Sequence, residues 1–244
     1  MRKTALAALI AVLWAGATLA APAENIPLPQ PSPKRQQAAP QAVPRPPVPI
    51  TPSAATPPGQ ATALDDNQRA VVNKISKYLS SVQTLVGDFV QVGPDGRRTE
   101  GQFYIQKPGK VRFAYNPPSP IDVVADGQSV VVRDRNLATQ DLYPLSQTPL
   151  RFLLADHIDL MRDTNVISVS SDDTFVTLVI EEHQLVAGTS RLMMMFGAKD
   201  MQLRQWTVTD PQGYDTTVAV YNLDTTKKPD PDLFVINYPD HHQQ

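Results

Sequence analysis

The sequence predicts a mainly β protein of the α+β class, in which an antiparallel sheet of about eleven or twelve short strands curls and two helices lie on one side. Two observations predict this class. Beyond residue 64, most of the chain alternates apolar and polar residues with a period of two, the pattern of a half-buried strand. Turn dipeptides such as Pro108-Gly109 and Asp126-Gly127 separate these runs, and two stretches have the apolar spacing of a helix.

The segment Thr99–Tyr115 is the clearest strand pair. Phe103 and Ile105 share one face of its first half, and Val111 and Phe113 share one face of its second half. A two-stranded ribbon is only marginally stable in water. Neighbouring strands or helices must therefore cover this apolar face.

Residues 1–23 have the three parts of a secretory signal peptide. Arg2-Lys3 supplies the positive charge, an apolar run follows from Ala5 to Leu13, and small residues surround the expected cleavage at residues 20–23. An uncleaved anchor is the alternative, but the apolar run is at the short end of the roughly 20 residues that span a bilayer. We expect cleavage, export by the general secretory route and a periplasmic location.

Residues 24–62 predict a disordered, proline-rich tether. Thirteen of the chain's 24 prolines lie between Pro22 and Pro58, a stretch without aromatic residues. Such a segment buries too little apolar surface to offset the entropy lost on ordering. Prolines spaced as in Pro44 and Pro47 can also dock on a partner's aromatic groove, although a spacer is the commoner role.

One folded domain is predicted at residues 63–240, with a polar tail at 241–244. Its first helix starts after Asp65 or Asp66 and runs to about Val82, with apolar residues at three- and four-residue spacing. Thr148-Pro149 opens a second, short helix. Besides the pair described above, strands are predicted at residues 85–91, 121–125, 129–133, 140–143, 166–169, 175–181, 190–196, 202–209, 216–221 and 233–237.

The composition argues against several functional classes. A formal net charge of -2 gives no basic field for nucleic acid, and the absence of cysteine excludes disulfides and thiol chemistry. The histidines at 157, 183, 241 and 242 match no metalloprotease or hydrolase motif, and the aspartates at 172, 173, 230 and 232 lie in turn-like contexts. We therefore expect a protein without catalytic residues, metal or cofactor.

The apolar faces allow two interpretations. They either pack into a solid core or line a cavity, and they comprise Leu85, Phe89, Phe103, Ile105, Val111, Phe113 and Leu153. A solid core is the commoner outcome of such periodicity. The run Met193-Met194-Met195 favours a cavity, because methionine is flexible and polarizable and suits a wall that accommodates variable ligands.

Six short motifs follow one another between residues 66 and 239. They are Phe89-x-Gln91, Gly101-x-Phe103-x-Ile105-x-Lys107-Pro108, Val111-Arg112-Phe113, Ala125-Asp126-Gly127, Thr148-Pro149-Leu150 and Phe234-x-Ile236-x-x-Pro239. In this order and at these intervals they resemble the LolA family, the periplasmic carriers of outer-membrane lipoproteins. The family has arginine before the motif proline, where this chain has Lys107.

The resemblance implies an unclosed antiparallel barrel with its helices as a lid over a hydrophobic cavity. A monomeric carrier of this kind takes lipoproteins from an inner-membrane lipoprotein-releasing transporter, shelters their acyl chains and delivers them to an outer-membrane acceptor. The lining is then expected at Leu85, Phe89, Phe103, Ile105, Val111, Phe113, Leu150 and Leu153. Lys107 is at the position from which a cationic side chain latches the lid by hydrogen bonds to the helices.

Two other hypotheses remain open at the level of the sequence. A related module can carry or sense another envelope lipid or glycolipid, and lipids that copurify with the protein distinguish it from a lipoprotein carrier. A secreted hydrolase is the least favoured hypothesis. It requires ester turnover that is lost on substitution of His157 or His183.

Overall fold

The computed structural model describes residues 64–184 and 188–236 of the chain. The predicted signal peptide, tether and polar tail lie outside these residues. The helices are α1 (Asp66–Ser81), α2 (Leu150–Leu154) and α3 (Leu160–Asp163), with 3-10 turns at Leu145–Gln147 and Pro231–Phe234. The strands are β1 (Thr84–Val92), β2 (Arg98–Gln106), β3 (Lys110–Tyr115), β4 (Ile121–Asp126), β5 (Ser129–Asp134), β6 (Thr139–Pro144), β7 (Asn165–Ser171), β8 (Phe175–Gln184), β9 (Gly188–Gly197), β10 (Leu203–Thr209) and β11 (Asp215–Asp224). No helix in the described part combines the length and apolar character needed to cross a membrane.

The strands form one antiparallel sheet in the order β6-β5-β4-β3-β2-β1-β11-β10-β9-β8-β7. Strands that follow one another in the chain are neighbours within each half, and the pairing of β1 with β11 joins the halves. The chain passes from β6 to β7 through α2 and α3. Because β6 and β7 end the order without pairing with each other, the sheet is an unclosed barrel, which confirms the predicted fold class.

The sheet curls strongly enough to bring distant strands together. Three strands separate β3 from β10. In a flat sheet these two strands would be about 19 Å apart, since neighbouring strands are spaced by about 4.8 Å. The ring centroids of Phe113 in β3 and Trp206 in β10 are only 6.2 Å apart. The concave face therefore gathers side chains from both halves of the sheet.

Helix α1 begins where the sequence predicts. The Asp65 carboxylate accepts the Gln68 N–H at 2.7 Å, and the Asp65 N–H donates to the Gln68 side chain at 3.0 Å. This reciprocal cap stabilises a helix by about 1 kcal/mol. The predicted apolar stripe is buried at Val72, Ile75 and Leu79.

Two serine hydroxyls fasten α1 to the segment that contains α3. The N–H of Leu160 donates to Ser76 Oγ at 3.1 Å, and the N–H of Ile158 donates to Ser80 Oγ at 3.1 Å. Toward its C-terminus α1 also reaches β10, where a backbone N–H donates to Tyr78 Oη at 3.3 Å. The helix is thus held both by α3 and by the sheet.

The strand predicted at residues 233–237 is wrong. Pro231–Phe234 forms a 3-10 turn, in which the Asp230 side chain accepts the N–H of Asp232 at 3.0 Å. Proline has no N–H for a ladder, and a capping aspartate gives the backbone an alternative to strand pairing. Ile236 then packs against apolar side chains of β4 and β5.

Two short elements have no counterpart in the sequence prediction, namely α3 and the 3-10 turn at Leu145–Gln147. Each has four residues or fewer, which is too short to establish an apolar period. The predicted second helix, α2, ends at Leu154, where the N–H of Ala155 donates to the carbonyl oxygen of Arg151. His157 lies in the loop that follows.

Candidate functional site

An apolar cavity lies between the concave face of the sheet and the C-terminal ends of α1 and α2. Its volume is about 30 Å³, which is room for about two water molecules. Three of its lining side chains carry polar atoms and the others are hydrocarbon. The lining comprises Tyr78, Leu79, Val82, Leu85, Phe103, Ile105, Lys107, Val111, Phe113, Leu150, Leu153, Leu154, Leu203 and Trp206.

Seven of the eight residues at which the lining is expected lie at the cavity. They are Leu85, Phe103, Ile105, Val111, Phe113, Leu150 and Leu153. Phe89 is not among the lining residues. It is fully buried, and its ring packs edge-on against Phe113 at 5.3 Å and Tyr115 at 5.0 Å. Strand alternation correctly predicts the face of the sheet on which Phe89 lies. It does not predict how far along β1 the cavity extends, and of the β1 residues only Leu85 lines it.

Strand β10 contributes two lining residues that are not among the predicted ones. Leu203 and Trp206 both line the cavity although they are three residues apart, a spacing that puts side chains of a regular strand on opposite faces. The register with β9 shifts between Leu203 and Gln205, so a β-bulge turns both side chains inward. No glycine or proline in this stretch signals the bulge.

The turn between β2 and β3, here called the holding turn (residues 107–109), contacts both cavity helices. The Lys107 ammonium donates to the carbonyl oxygen of Leu79, in the last turn of α1. The Gly109 N–H donates to the carbonyl oxygen of Leu154, the last residue of α2, at 2.9 Å. Carbonyls at a helix C-terminus lack intrahelical donors and attract cations. The holding turn therefore satisfies the ends of two helices at once.

The Lys107 ammonium is held in a poorly solvated position. Burial lowers the pKa of Lys107 from 10.5 to about 8, while the nearby Asp156 carboxylate acts in the opposite direction and raises it. The ammonium loses water when it docks between the apolar lining and α1, and one carboxylate compensates only in part. Docking of the charged ammonium against Leu79 therefore costs free energy, and this cost depends on pH.

Gly109→Ala is expected to loosen both helices. Gly109 has a φ of +74°, and an added Cβ would lie 2.6 Å from the Cα of Gly127. The backbone strain alone costs about 1–2 kcal/mol for an L side chain, and the crowding must displace the turn further. We expect a lower melting temperature and faster amide exchange in α2.

Gly96→Ala is the matched control for this prediction. Gly96 has a nearly equal φ of +75°, but nothing lies within 4 Å of an added Cβ. An alanine at residue 96 therefore has the same backbone strain but makes no steric clash with neighbouring atoms. Equal losses of melting temperature in the two variants would contradict a structural role for the close packing of the holding turn.

Helix α2 is also tied to the other half of the sheet. The Arg151 guanidinium forms a salt bridge with Glu182 of β8, and both side chains are largely shielded from solvent. The Gly109 bond holds the opposite end of the helix to the β2–β3 turn. This five-residue helix therefore bridges the open side of the curled sheet.

The described residues contain no group of three or more His, Asp or Glu side chains placed to hold a metal ion. His157 and His183 are exposed, and His183 Nδ1 lies 2.7 Å from Thr189 Oγ1. Asp172 accepts two backbone N–H groups of its own turn, which lower its pKa. Asp172 and His183 thus have local structural contacts, and neither they nor His157 line the cavity.

The chain is similar to several known proteins. A family model described as outer membrane lipoprotein carrier protein LolA matches residues 80–237. An outer-membrane lipoprotein carrier protein of Methylococcus capsulatus is 27% identical over 178 residues, which cover 68% of this chain and 83% of that protein. A match to an uncharacterized protein of Rickettsia prowazekii, 25% identical over 114 residues, covers 47% of this chain and 54% of that protein. A solved LolA superfamily protein of Nitrosomonas europaea aligns with 68% of this chain and 97% of its own, with 9% identity and a TM-score of 0.37.

The matched range contains all the strands described above, the holding turn and α2. It spans well over half of the 244 residues. The chain therefore belongs to the LolA family of outer membrane lipoprotein carrier proteins.

Proposed function

We propose that the protein is a periplasmic carrier that shelters the acyl chains of lipoproteins in its cavity and delivers them from the inner membrane to the outer membrane. The observation that supports this most strongly is an apolar cavity between a curled sheet and two helices that one turn holds in place. In this proposal the carrier is a monomer. It receives cargo from an inner-membrane lipoprotein-releasing transporter and passes it to an outer-membrane acceptor.

The energetics of acyl chains require such a shelter. Each methylene moved out of water contributes about 0.8 kcal/mol, so one long chain represents on the order of ten kcal/mol. A lipoprotein cannot cross an aqueous compartment at useful rates against that cost. The apolar lining supplies a surface that replaces the membrane during the crossing.

The size of the cavity supports a closed conformation without cargo. A volume of about 30 Å³ holds about two waters and no acyl chain. The sheet below is fixed by continuous strand pairing, so α1 and α2 are the elements that must move. Opening breaks the bonds from Lys107 and Gly109, the bond of Tyr78 to β10 and the ion pair of Arg151 with Glu182, each of which contributes about 1 kcal/mol net. Together these contacts contribute less than the roughly ten kcal/mol that burial of one acyl chain returns, so loading is favourable overall.

Lys107 is the latch in this proposal. Its bond to Leu79 forms only when α1 is docked, and the pKa of about 8 shows that docking disfavours the charged ammonium. A latch that is weak at neutral pH lets the helices open for cargo. Arginine at this position would hold α1 with more donors and without titration.

Mass spectrometry of the ligands that copurify with the protein from the periplasm tests the proposed function. Triacylated peptides are expected in the purified sample. Free phospholipid or glycolipid without acylated peptide would instead support a LolA-like module for another envelope lipid. Turnover of ester substrates that disappears in His157→Ala or His183→Ala would support the hydrolase and overturn the carrier.

A further inference from the structure

Trp206 carries a polar atom that the closed protein leaves unpaired. Its side chain is 2% exposed, and within the described residues its indole Nε1 has no hydrogen-bond partner. The other two polar side chains of the lining are bonded, since Lys107 donates to Leu79 and Tyr78 Oη accepts a backbone N–H. Buried donors without acceptors are rare because each one costs as much as a lost hydrogen bond. Trp206 is also one of the residues that line the cavity, so an acceptor on a ligand can satisfy this donor once the helices have moved.

The indole is held firmly in this position. Trp206 pairs with Met194 of β9 and with Val218 of β11. On the cavity side its ring meets the ring of Phe113 at 6.2 Å and 62°. A donor fixed by packing on several sides loses little freedom when an acceptor arrives, so its bond is strong relative to that of a mobile side chain.

The chemistry of the lining restricts the acceptor. A hydroxyl or amide of the ligand brings its own N–H or O–H, for which the side chains of the lining offer only Tyr78 Oη, which already accepts a backbone N–H. A carboxylate would pair with the Lys107 ammonium, the charged group of the lining, and not with a neutral N–H. An ester carbonyl accepts and does not donate, and it is neutral. It therefore matches a single N–H in a hydrocarbon wall.

We infer that Trp206 Nε1–H donates a hydrogen bond to an ester carbonyl of the ligand, so that the cavity recognises a diacylglyceryl group and not hydrocarbon alone. This inference rests on the proposed function and adds a chemical selectivity to it. The diacylglyceryl group occurs both in the lipid anchor of a lipoprotein and in free diacylglycerides. Both sources present the same carbonyl to Trp206.

Binding of three synthetic probes tests the inference on the full-length protein. The probes are a peptide with an N-terminal S-[2,3-bis(palmitoyloxy)propyl]cysteine, the analogue in which alkyl ethers replace both esters, and dipalmitoylglycerol. We expect the ester peptide to bind about ten-fold more tightly than the ether peptide, the size of one buried hydrogen bond. Trp206→Phe removes the donor and keeps an aromatic ring. It should weaken the ester probes alone and abolish the preference.

A matched control separates the hydrogen bond from packing. Phe113→Leu removes a ring that Trp206 contacts but no donor, so it should weaken the ester and ether peptides equally. Comparison of the ester peptide with dipalmitoylglycerol shows which source of the diacylglyceryl group the protein binds. Equal affinity shows that a free diacylglyceride suffices, and preference for the peptide shows that the lipoprotein anchor is read.

Fluorescence supplies a readout that a purely structural Trp206 would not change. The chain has two tryptophans, Trp14 and Trp206, so Trp14→Phe makes Trp206 the sole emitter. The ester peptide should shift its emission to longer wavelength than the ether peptide does. Equal affinities and equal emission for the two peptides would overturn the inference while leaving acyl binding intact. Absence of binding by both peptides would overturn the proposed function as well.

Discussion

Val111→Glu is expected to abolish the binding of acyl ligands. Val111 is fully buried in β3, between Ile105 and Ala125 of the neighbouring strands, and it lines the cavity. A carboxylate there costs several kcal/mol unless water or a proton reaches it. Because each 1.4 kcal/mol is a factor of ten, we expect affinity for a fluorescent fatty acid to fall more than about 100-fold.

Two further variants make this result interpretable. Gln102→Glu adds the same charge to the exposed face of β2 and should bind normally. Leu153→Glu places the carboxylate on α2, a short helix that can swing away from the sheet, so it should fold even where Val111→Glu does not. Normal ligand affinity in folded Leu153→Glu and Val111→Glu would contradict the assignment of the cavity as the binding site.

Ligand release is expected to quicken as the pH rises from 7 to 9.5, because a higher pH favours the closed state and the closed cavity holds no acyl chain. The pKa of Lys107 is about 8 when α1 is docked and 10.5 when the ammonium is solvated. Between these values the open protein holds more of the Lys107 proton than the closed protein. Each rise in pH in this window therefore favours the closed state, and stability toward unfolding rises for the same reason.

The size of the change in release rate depends on how well the Lys107 side chain is shielded from solvent. The side chain is half-buried, so solvent screens part of its interaction with Asp156 and α1. We expect release of a fluorescent acyl ligand to quicken about ten-fold over the window. Stopped-flow measurement of the release rate at several pH values gives this number directly.

Variants of Lys107 supply the controls. Lys107→Arg stays charged and Lys107→Leu has no proton to lose, so both should release ligand independently of pH in this range. At pH 7, arginine should favour the closed state and quicken release, and leucine should favour open or ligand-trapped states with little change of melting temperature. Lys110→Arg makes the same chemical change three residues further on and should behave as wild type. A wild-type slope that persists in Lys107→Arg would contradict the latch.

The strand pattern of the sequence was enough to predict the sheet and one wall of the cavity. Phe103 with Ile105 and Val111 with Phe113 alternate without interruption, and they lie side by side at the cavity. Alternation predicts on which face of the sheet a side chain lies, but it does not predict where along the strand the covering helix ends. For that reason Phe89 is predicted at the cavity, whereas in the structure it is not among the lining residues.

Other features depend on contacts that are distant in the chain. The inward turn of Leu203 and Trp206 results from a bulge in the β10 register, for which residues 203–206 carry no turn signal. Pro231 and Asp230 carry a local signal against a strand, and in the fold this signal outweighs the apolar alternation of the residues after them. The bond from Gly109 to Leu154 joins residues 45 positions apart, so only the fold reveals it.

Quenching of Trp206 by brominated acyl chains tests most directly whether the chains of a lipoprotein occupy the cavity. Bromine quenches tryptophan emission only at near-contact distance, and Trp14→Phe leaves Trp206 as the sole tryptophan of the chain. A diacylated peptide with brominated chains should quench most of the emission, and an excess of the same peptide without bromine should restore it. Full emission with the brominated peptide bound would place the acyl chains elsewhere and contradict the proposed function.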